Sequence, residues 1–414
     1  MNIIYLIKLC VHSFATVGIS VTVIRIVSTL LDMVLSPLYS RKQVIDNQIL
    51  FMSEPDYSDN ARVLYEYIVE KNISEKYQII WVVTNKDSYF NLRKNGIRCV
   101  YRHSAFPAIG MHRATYYYRT SKWIFHTHGH LISKKLQKPN QIIVSLWHGG
   151  MGFKQSKGAV NAEIYPSTYT LISGDGEITK KVALVFHKCS LDSLLPLSLP
   201  RNDLLFKWKE IPSLDSMQET KILWMPTFRQ AASSYISDMT LNSETGFPIL
   251  YTSDIVCELN KFIEQKKTHL FIKLHPLQVK DKIMEVDLSN IHLMTNDDLE
   301  NMDVQLYEIF NHFDALLTDY SSVSFDYLCL DRPIGYTLDD FEEYGMSRGF
   351  PMENPLDYMP GRHIYTYDDF IRFVQDVADG KDEYASERDR VRKEVGMPEG
   401  GNCCQQLLEF LGII

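Results

Sequence analysis

The chain has 414 residues, 45% hydrophobic and 23% charged, the composition of a folded globular protein of two or three domains. Lys plus Arg number 43 against 51 Asp plus Glu, a formal charge of -8, which excludes a nucleic-acid partner but leaves room for a local basic site for a small phosphorylated ligand. Seven scattered cysteines, none in a C-x-x-C pair, suggest neither a zinc site nor a disulfide framework and fit a reducing compartment.

Residues 1–42 stand apart as a membrane-associating helical segment. The sixteen residues from Leu9 to Ile24 carry no formal charge, short of the roughly 20 that span a bilayer core. Arg25 and Asp32 then interrupt the run, and no small-residue cleavage pattern follows, which disfavours a signal peptide. Three readings stand: a helix lying in the membrane interface, which the sequence favours, a spanning anchor, and a buried core helix. Lys8, Arg25, Arg41 and Lys42 would suit anionic headgroups at a cytoplasmic face.

Beyond residue 43, short apolar runs alternate with amphipathic stretches. Strands are expected at Gln48–Met52, Gln78–Thr84, Arg98–Val100, Trp123–His126, Gln141–Trp147 and Thr170–Ser173, with helices such as Ala61–Glu70 and Ser88–Asn95 between them. A second series follows Pro200: Lys221–Trp224, His269–Lys273, Ile291–Met294, Ala315–Thr318 and Pro333–Tyr336. Apolar strands separated by helices mark parallel α/β sheets covered on both faces. The expected architecture is therefore two Rossmann-like domains facing a cleft, residues 43–210 and 211–414, with the boundary near 205–217.

Three motifs carry chemistry. In Ser145-Leu146-Trp147-His148-Gly149-Gly150-Met151-Gly152, an apolar strand runs into a histidine, and glycines follow that let the backbone approach a ligand closely. His148 is the natural general base, its unperturbed pKa lying near 6.5; the plainer reading is a histidine that merely ends a strand. In Phe271-Ile272-Lys273-Leu274-His275-Pro276, Lys273 and His275 alternate onto one face as a pair of cations for phosphate oxygens, unless they are incidental charges at an exposed strand end. In Thr318-Asp319-Tyr320-Ser321-Ser322-Val323, a buried strand meets a hydroxyl-rich turn and then a helix from about Val323 to Leu330, a ready phosphate site. A simple helix cap is the alternative use of Ser321 or Ser322.

Thr227 and Arg229, in Met225-Pro226-Thr227-Phe228-Arg229-Gln230, follow the first strand of the second series, where an arginine grips phosphate in a fork. Leu199-Pro200-Arg201-Asn202-Asp203 is a second supporting segment, and Arg348-Gly349-Phe350 and Pro360-Gly361-Arg362 read as loops. His126-Thr127-His128-Gly129-His130 tempts as a metal site, yet no adjacent Cys, Asp or Glu completes it. No P-loop and no nucleophile elbow is present.

Together these blocks resemble the CDP-glycerol glycerophosphotransferase family of teichoic-acid primases and polymerases. The resemblance runs from about residue 140 to 375 and rests on the order of Trp147-His148-Gly149, Pro200-Arg201-Asn202-Asp203, Pro226-Thr227-Phe228-Arg229, Lys273-Leu274-His275-Pro276 and Thr318-Asp319-Tyr320-Ser321-Ser322. It implies a GT-B-like fold whose C-terminal domain holds the donor, and peripheral or monotopic work at the cytoplasmic face of the cell membrane. By resemblance, His148 and His275 match the catalytic histidines, and the segment from Asp319 to Ser322 matches the binder of the donor's phosphates. The expected donor site thus comprises Thr227, Arg229, Lys273, Asp319, Ser321 and Ser322. Two departures border it: Gly150-Met151-Gly152-Phe153-Lys154 stands where the family usually has Thr-Pro-Leu-Lys, and Phe228 and Gln230 replace its Trp and Asp.

The implied reaction moves an alditol phosphate, glycerol phosphate or ribitol phosphate, from CDP-glycerol or CDP-ribitol to a hydroxyl of a lipid-linked or polymer acceptor, releasing CMP. The nearest rival is a nucleotide-sugar glycosyltransferase of capsule synthesis with the same fold. No cofactor is required by the motifs, and no Asp-x-Asp pair beside the phosphate motif argues for magnesium.

Overall fold

The computed structural model describes residues 19, 22–24, 26–28, 30–103, 111–128, 137–149, 151–153, 155, 167–187, 189–227, 243–274 and 288–414. The chain divides into two compact units, Met1–His148 with Asn161–Leu171 and Ile414, and Gly149–Val160 with Ile172–Ile413. Residues 172–210, which the sequence pattern assigns to the first domain, belong to the second unit.

In the first unit the elements run β1 (Ile45–Met52), α1 (Asp59–Glu70), β2 (Gln78–Val83), α2 (Lys86–Lys94), β3 (Cys99–Tyr101), α3 (Met111–Thr120), β4 (Ser121–His126), β5 (Ile142–Ser145) and β6 (Tyr169–Leu171). The strands lie in the order β3-β2-β1-β4-β5-β6, every pair parallel. One core cluster joins Leu50, Met52, Ile80, Val82 and Ile124 with Tyr117 and Tyr118 of α3. Phe51 stacks between Trp81 and Phe125, at centroid distances of 5.1 and 5.2 Å. Successive side chains of a strand point to opposite faces, so a continuous apolar run such as Ile49-Leu50-Phe51 fits a sheet buried on both sides.

The second unit repeats the plan with α4 (Glu177–His187), β7 (Thr220–Trp224), α5 (Ser253–Gln265), β8 (Thr268–Lys273), β9 (Ile291–Met294), β10 (Ala315–Thr318), α6 (Val323–Tyr327), β11 (Ile334–Thr337), β12 (Arg362–Ile364), α7 (Tyr367–Ala378), α8 (Ala385–Val395) and α9 (Cys403–Phe410). Its strand order is β9-β8-β7-β10-β11-β12, again all parallel. Both sheets therefore wind outwards from a central pair, β1 with β4 and β7 with β10, and ligands of such sheets bind beyond the carboxyl ends at that reversal. The core of the second unit packs Ile222, Trp224, Leu270, Ile272 and Leu317 against Leu259 and Ile263 of α5 and Phe370, Phe373 and Val374 of α7. Each such fully buried aliphatic side chain contributes about 1.5–3 kcal/mol.

All eleven expected strands form. The sequence reads as a loop at β12, because Pro360-Gly361 precedes it and two of its three residues, Arg362 and His363, are polar. Gly361 is needed there because a Cβ would lie 2.0 Å from the Ile334 carbonyl of the neighbouring strand.

Candidate active site

In the first unit, β4 and β5 end side by side, His126 opposite Ser145. His148 follows β5 by three residues. The residue before it, Trp147, adopts a left-handed φ of +54°, a conformation that costs a bulky residue about 1–3 kcal/mol and persists only where neighbours impose it. Asn60, fully buried near the start of α1, imposes it here. Its Nδ2 donates to the carbonyls of Leu146 at 3.2 Å and Trp147 at 2.9 Å.

Beyond that turn the His148 ring stacks on His128, with centroids 3.8 Å apart and planes within 6°. Nδ1 of His148 lies 3.4 Å from the carbonyl oxygen of Thr127. A carbonyl only accepts, so this contact puts the proton on Nδ1 and leaves Nε2 as the basic nitrogen. His126 is engaged elsewhere, its Nε2 3.0 Å from the Ser167 hydroxyl, and His130 lies outside the described residues. Among the described residues, no group of three His, Cys, Asp or Glu side chains is arranged to hold a metal ion.

In the second unit, β7 and β10 are the reversal pair, and the residues just past them meet. The backbone N–H and the hydroxyl of Thr227 both donate to Oδ2 of the buried Asp319, at 2.8 and 2.9 Å. Thr318 donates to the Met225 carbonyl at 3.1 Å, and Thr337 to the Thr318 carbonyl at 3.2 Å. This clasp fixes the two loops from which the site is built.

Ser321 and Ser322 come next, both half-buried. Ser322 stands at the start of α6 with helical angles, φ -62° and ψ -17°, and makes no side-chain cap. The Ser321 hydroxyl lies 3.5 Å from the Val323 N–H, at the outer limit for a hydrogen bond. Capping therefore leaves these hydroxyls largely unspent. α6 continues as a 3₁₀ turn, Leu328–Leu330, so the expected helix from Val323 to Leu330 forms in two pieces.

The glycine-rich loop after His148 also belongs to this unit. A Cβ on Gly152 would lie 3.5 Å from that of Ser322. Phe153 is buried and stacks on Phe325 of α6 at 4.9 Å, and Gln155 donates from its backbone to the Gly349 carbonyl at 3.1 Å.

Lys273, at the end of β8, is only 5% exposed. Its ammonium donates to Asn296 Oδ1 at 2.7 Å and to the Leu274 carbonyl at 3.1 Å. Burial pushes its pKa down to about 8, against a smaller upward pull from Asp298. Arg229 and His275 lie outside the described residues. Asn60 had no signal in the sequence, since its role depends on carbonyls 86 and 87 residues away.

Residues 34–411 match the family model described as CDP-glycerol:poly(glycerophosphate) glycerophosphotransferase. The chain belongs to this family. It is similar to the teichoic acid glycerol-phosphate primase of Bacillus subtilis strain 168, 24% identical over 77% of this chain and 81% of that protein. It is also similar to the teichoic acid ribitol-phosphate primase of Bacillus spizizenii, 27% identical over 54% of this chain and 58% of that protein. Among solved structures, the wall teichoic acid polymerase TagF, in a histidine-to-asparagine variant soaked with CDPG, superposes with a TM-score of 0.67. That match is 20% identical and covers 93% of this chain and 96% of the other, which establishes a shared fold. As a glycerophosphotransferase family member the chain is an enzyme, and its two parallel-sheet units are the family's scaffold.

Proposed function

We propose that this glycerophosphotransferase moves glycerol phosphate from CDP-glycerol to a hydroxyl of a lipid-linked or polymer acceptor in teichoic acid or related surface-polymer synthesis, releasing CMP. The observation that carries the reading is the Thr227–Asp319 clasp with the seryl turn beside it, at the sheet reversal of a chain matched to the family over residues 34–411. In this mechanism Nε2 of His148 takes the proton of the acceptor hydroxyl. The freed oxygen attacks the phosphorus that bears glycerol, and the P–O bond to the CMP phosphate breaks, its electron pair leaving with CMP.

The protein's remaining task is to hold the diphosphate and offset its developing charge. Ser321 and Ser322 donate their hydroxyls to the phosphates, Asp319 holds Thr227 in place, and Lys273 supplies buried positive charge. Arg229 and His275 complete the proposed set: Arg229 as a phosphate clamp, His275 as the cation at the leaving group.

The primase relatives include both glycerol-phosphate and ribitol-phosphate enzymes, so the donor is tested directly. Purified protein is offered CDP-glycerol, CDP-ribitol and a panel of sugar nucleotides with a lipid-linked acceptor. CMP release from CDP-glycerol supports the reading; turnover of a sugar nucleotide alone replaces it with a glycosyltransferase.

The proposed workplace is the cytoplasmic face of the membrane. Thr22–Ser40 is a helix of mean hydropathy 1.4, long and apolar enough to cross a bilayer. Three contacts favour lying on the surface instead. Ser28 donates to the Arg102 carbonyl at 3.2 Å, Arg119 of α3 to Ser36 at 3.3 Å, and Tyr39 packs edge-on to Tyr116 at 5.4 Å. Asp32 faces the same side, its pKa raised by burial and pulled back by Thr115 and Arg119. Leu30, Met33, Val34 and Leu38 are left exposed on the helix, an apolar stripe suited to the acyl boundary. Met33→Glu with Val34→Glu is expected to abolish flotation with anionic vesicles while leaving turnover of a soluble acceptor intact. Undiminished flotation would remove the helix from that role.

A further inference from the structure

We infer that Arg201 and Tyr307 are positioning residues for the donor site: Arg201 neutralises, and Tyr307 hydrogen-bonds, the carboxylate of Asp326 behind the Ser321–Ser322 turn, so that a diphosphate can be held in front of it. The inference rests on the seryl turn being the phosphate site.

Asp326 is 1% exposed and lies on α6, four residues after Ser322. At a rise of about 1.5 Å per residue, its backbone is roughly 6 Å from that of Ser322 along the helix. An unpaired carboxylate at that range would repel a bound diphosphate through a poorly screened interior. Arg201 removes the repulsion. Its Nη2 lies 2.9 Å from Oδ2 of Asp326, and its guanidinium sits over the Tyr307 ring at 4.6 Å. The Tyr307 hydroxyl donates to the same carboxylate oxygen.

The Pro200-Arg201-Asn202-Asp203 segment supplies the frame. It forms a 3₁₀ helix, Pro200–Phe206. Asp203 anchors it by accepting from the backbone N–H groups of Cys403 at 2.6 Å and Cys404 at 3.0 Å, at the start of α9. The residues around Asp326 are fixed as well: Ser324 donates to the Ser321 carbonyl at 3.0 Å, and Tyr327 to the Phe313 carbonyl at 3.2 Å. A buried ion pair adds little stability over apolar residues of the same volume. Its place behind the turn gives it a use that an apolar pair would serve equally well in charge, though not with a carboxylate left alone.

The test compares Arg201→Met, Asp326→Asn and the double variant by calorimetric binding of CDP-glycerol, with steady-state kinetics and thermal melts. Arg201→Met is expected to weaken CDP-glycerol binding tenfold or more and to raise KM more than it lowers kcat. The double variant, which carries no unpaired charge, is expected to recover most of that loss. Arg201→Met that folds and binds normally overturns the inference, as does a folded double variant that binds no better than Arg201→Met. If Arg201→Met does not fold, the double variant decides by itself: binding near the wild-type level supports the role, and a folded protein without binding refutes it. Ser321→Ala with Ser322→Ala is the separate control. If that variant keeps its affinity, the seryl-turn reading falls whatever the Arg201 series shows.

Discussion

Lys273 gives the sharpest physical prediction. Its ammonium is buried at the end of β8, with Asn296 and the Leu274 carbonyl as partners, and its pKa falls from 10.5 to about 8. At pH 7 both folded and unfolded chains hold the proton, and the folded state bears the cost of burying the charge. Between about pH 8 and 10.5 the folded chain sheds the proton while the unfolded chain keeps it, so stability contributed by this residue rises with pH in that window. Integrating the linkage from pH 7 to 9.5 gives a gain of about 2 kcal/mol. Urea unfolding of the wild type and Lys273→Met at pH 7.0 and 9.5 measures it. The wild type should gain about 2 kcal/mol relative to the variant across the interval. Parallel pH curves would show that the amine is not desolvated and would refute the reasoning. The same loss of charge should weaken CDP-glycerol binding in the wild type as pH rises through 8.

Other outcomes follow from single contacts. Asn60→Ala removes both bonds that hold the turn at Trp147; kcat should fall on the order of 10²-fold with little change in KM, because displacing a base by about 1 Å is enough for that. Thr227→Val keeps the shape and deletes the hydroxyl bond to Asp319, so stability should drop by about 1 kcal/mol in urea unfolding and KM for CDP-glycerol should rise. Gly176→Ala drives a Cβ to within 1.9 Å of the Glu394 carbonyl at the end of α8, and differential scanning calorimetry should show a loss of about 1–3 kcal/mol.

Much of this architecture is legible in the sequence because parallel strands buried on both faces are continuous apolar runs. Ile222-Leu223-Trp224 and Ala315-Leu316-Leu317 announce themselves this way, and all are fully buried. The histidine and seryl motifs were visible because each follows such a run at its carboxyl end. Less legible were features that depend on distant partners. The role of Asn60 is set by carbonyls on another element. Arg201 carries no specific reading in its Pro200-Arg201-Asn202-Asp203 segment, because its partner Asp326 lies 125 residues away. Lys273 reads as one of a pair of phosphate cations on a strand face, but its burial with Asn296 depends on a partner 23 residues away that the motif does not show. The division of the chain was also hidden, because the contacts that draw residues 172–210 into the second unit, such as Asp203 to the start of α9, bridge about 200 residues.

The central claim is a phosphoryl transfer from a CDP-alditol with His148 as the base. The most direct measurement follows CMP and glycerol phosphate-bearing acceptor together, from CDP-glycerol and a lipid-linked acceptor, for the wild type and His148→Ala. The account predicts equal amounts of the two products from the wild type, and a loss on the order of 10²–10⁴-fold in the folded variant. Undiminished turnover by His148→Ala, or wild-type protein that releases no CMP from either CDP-alditol, would contradict it.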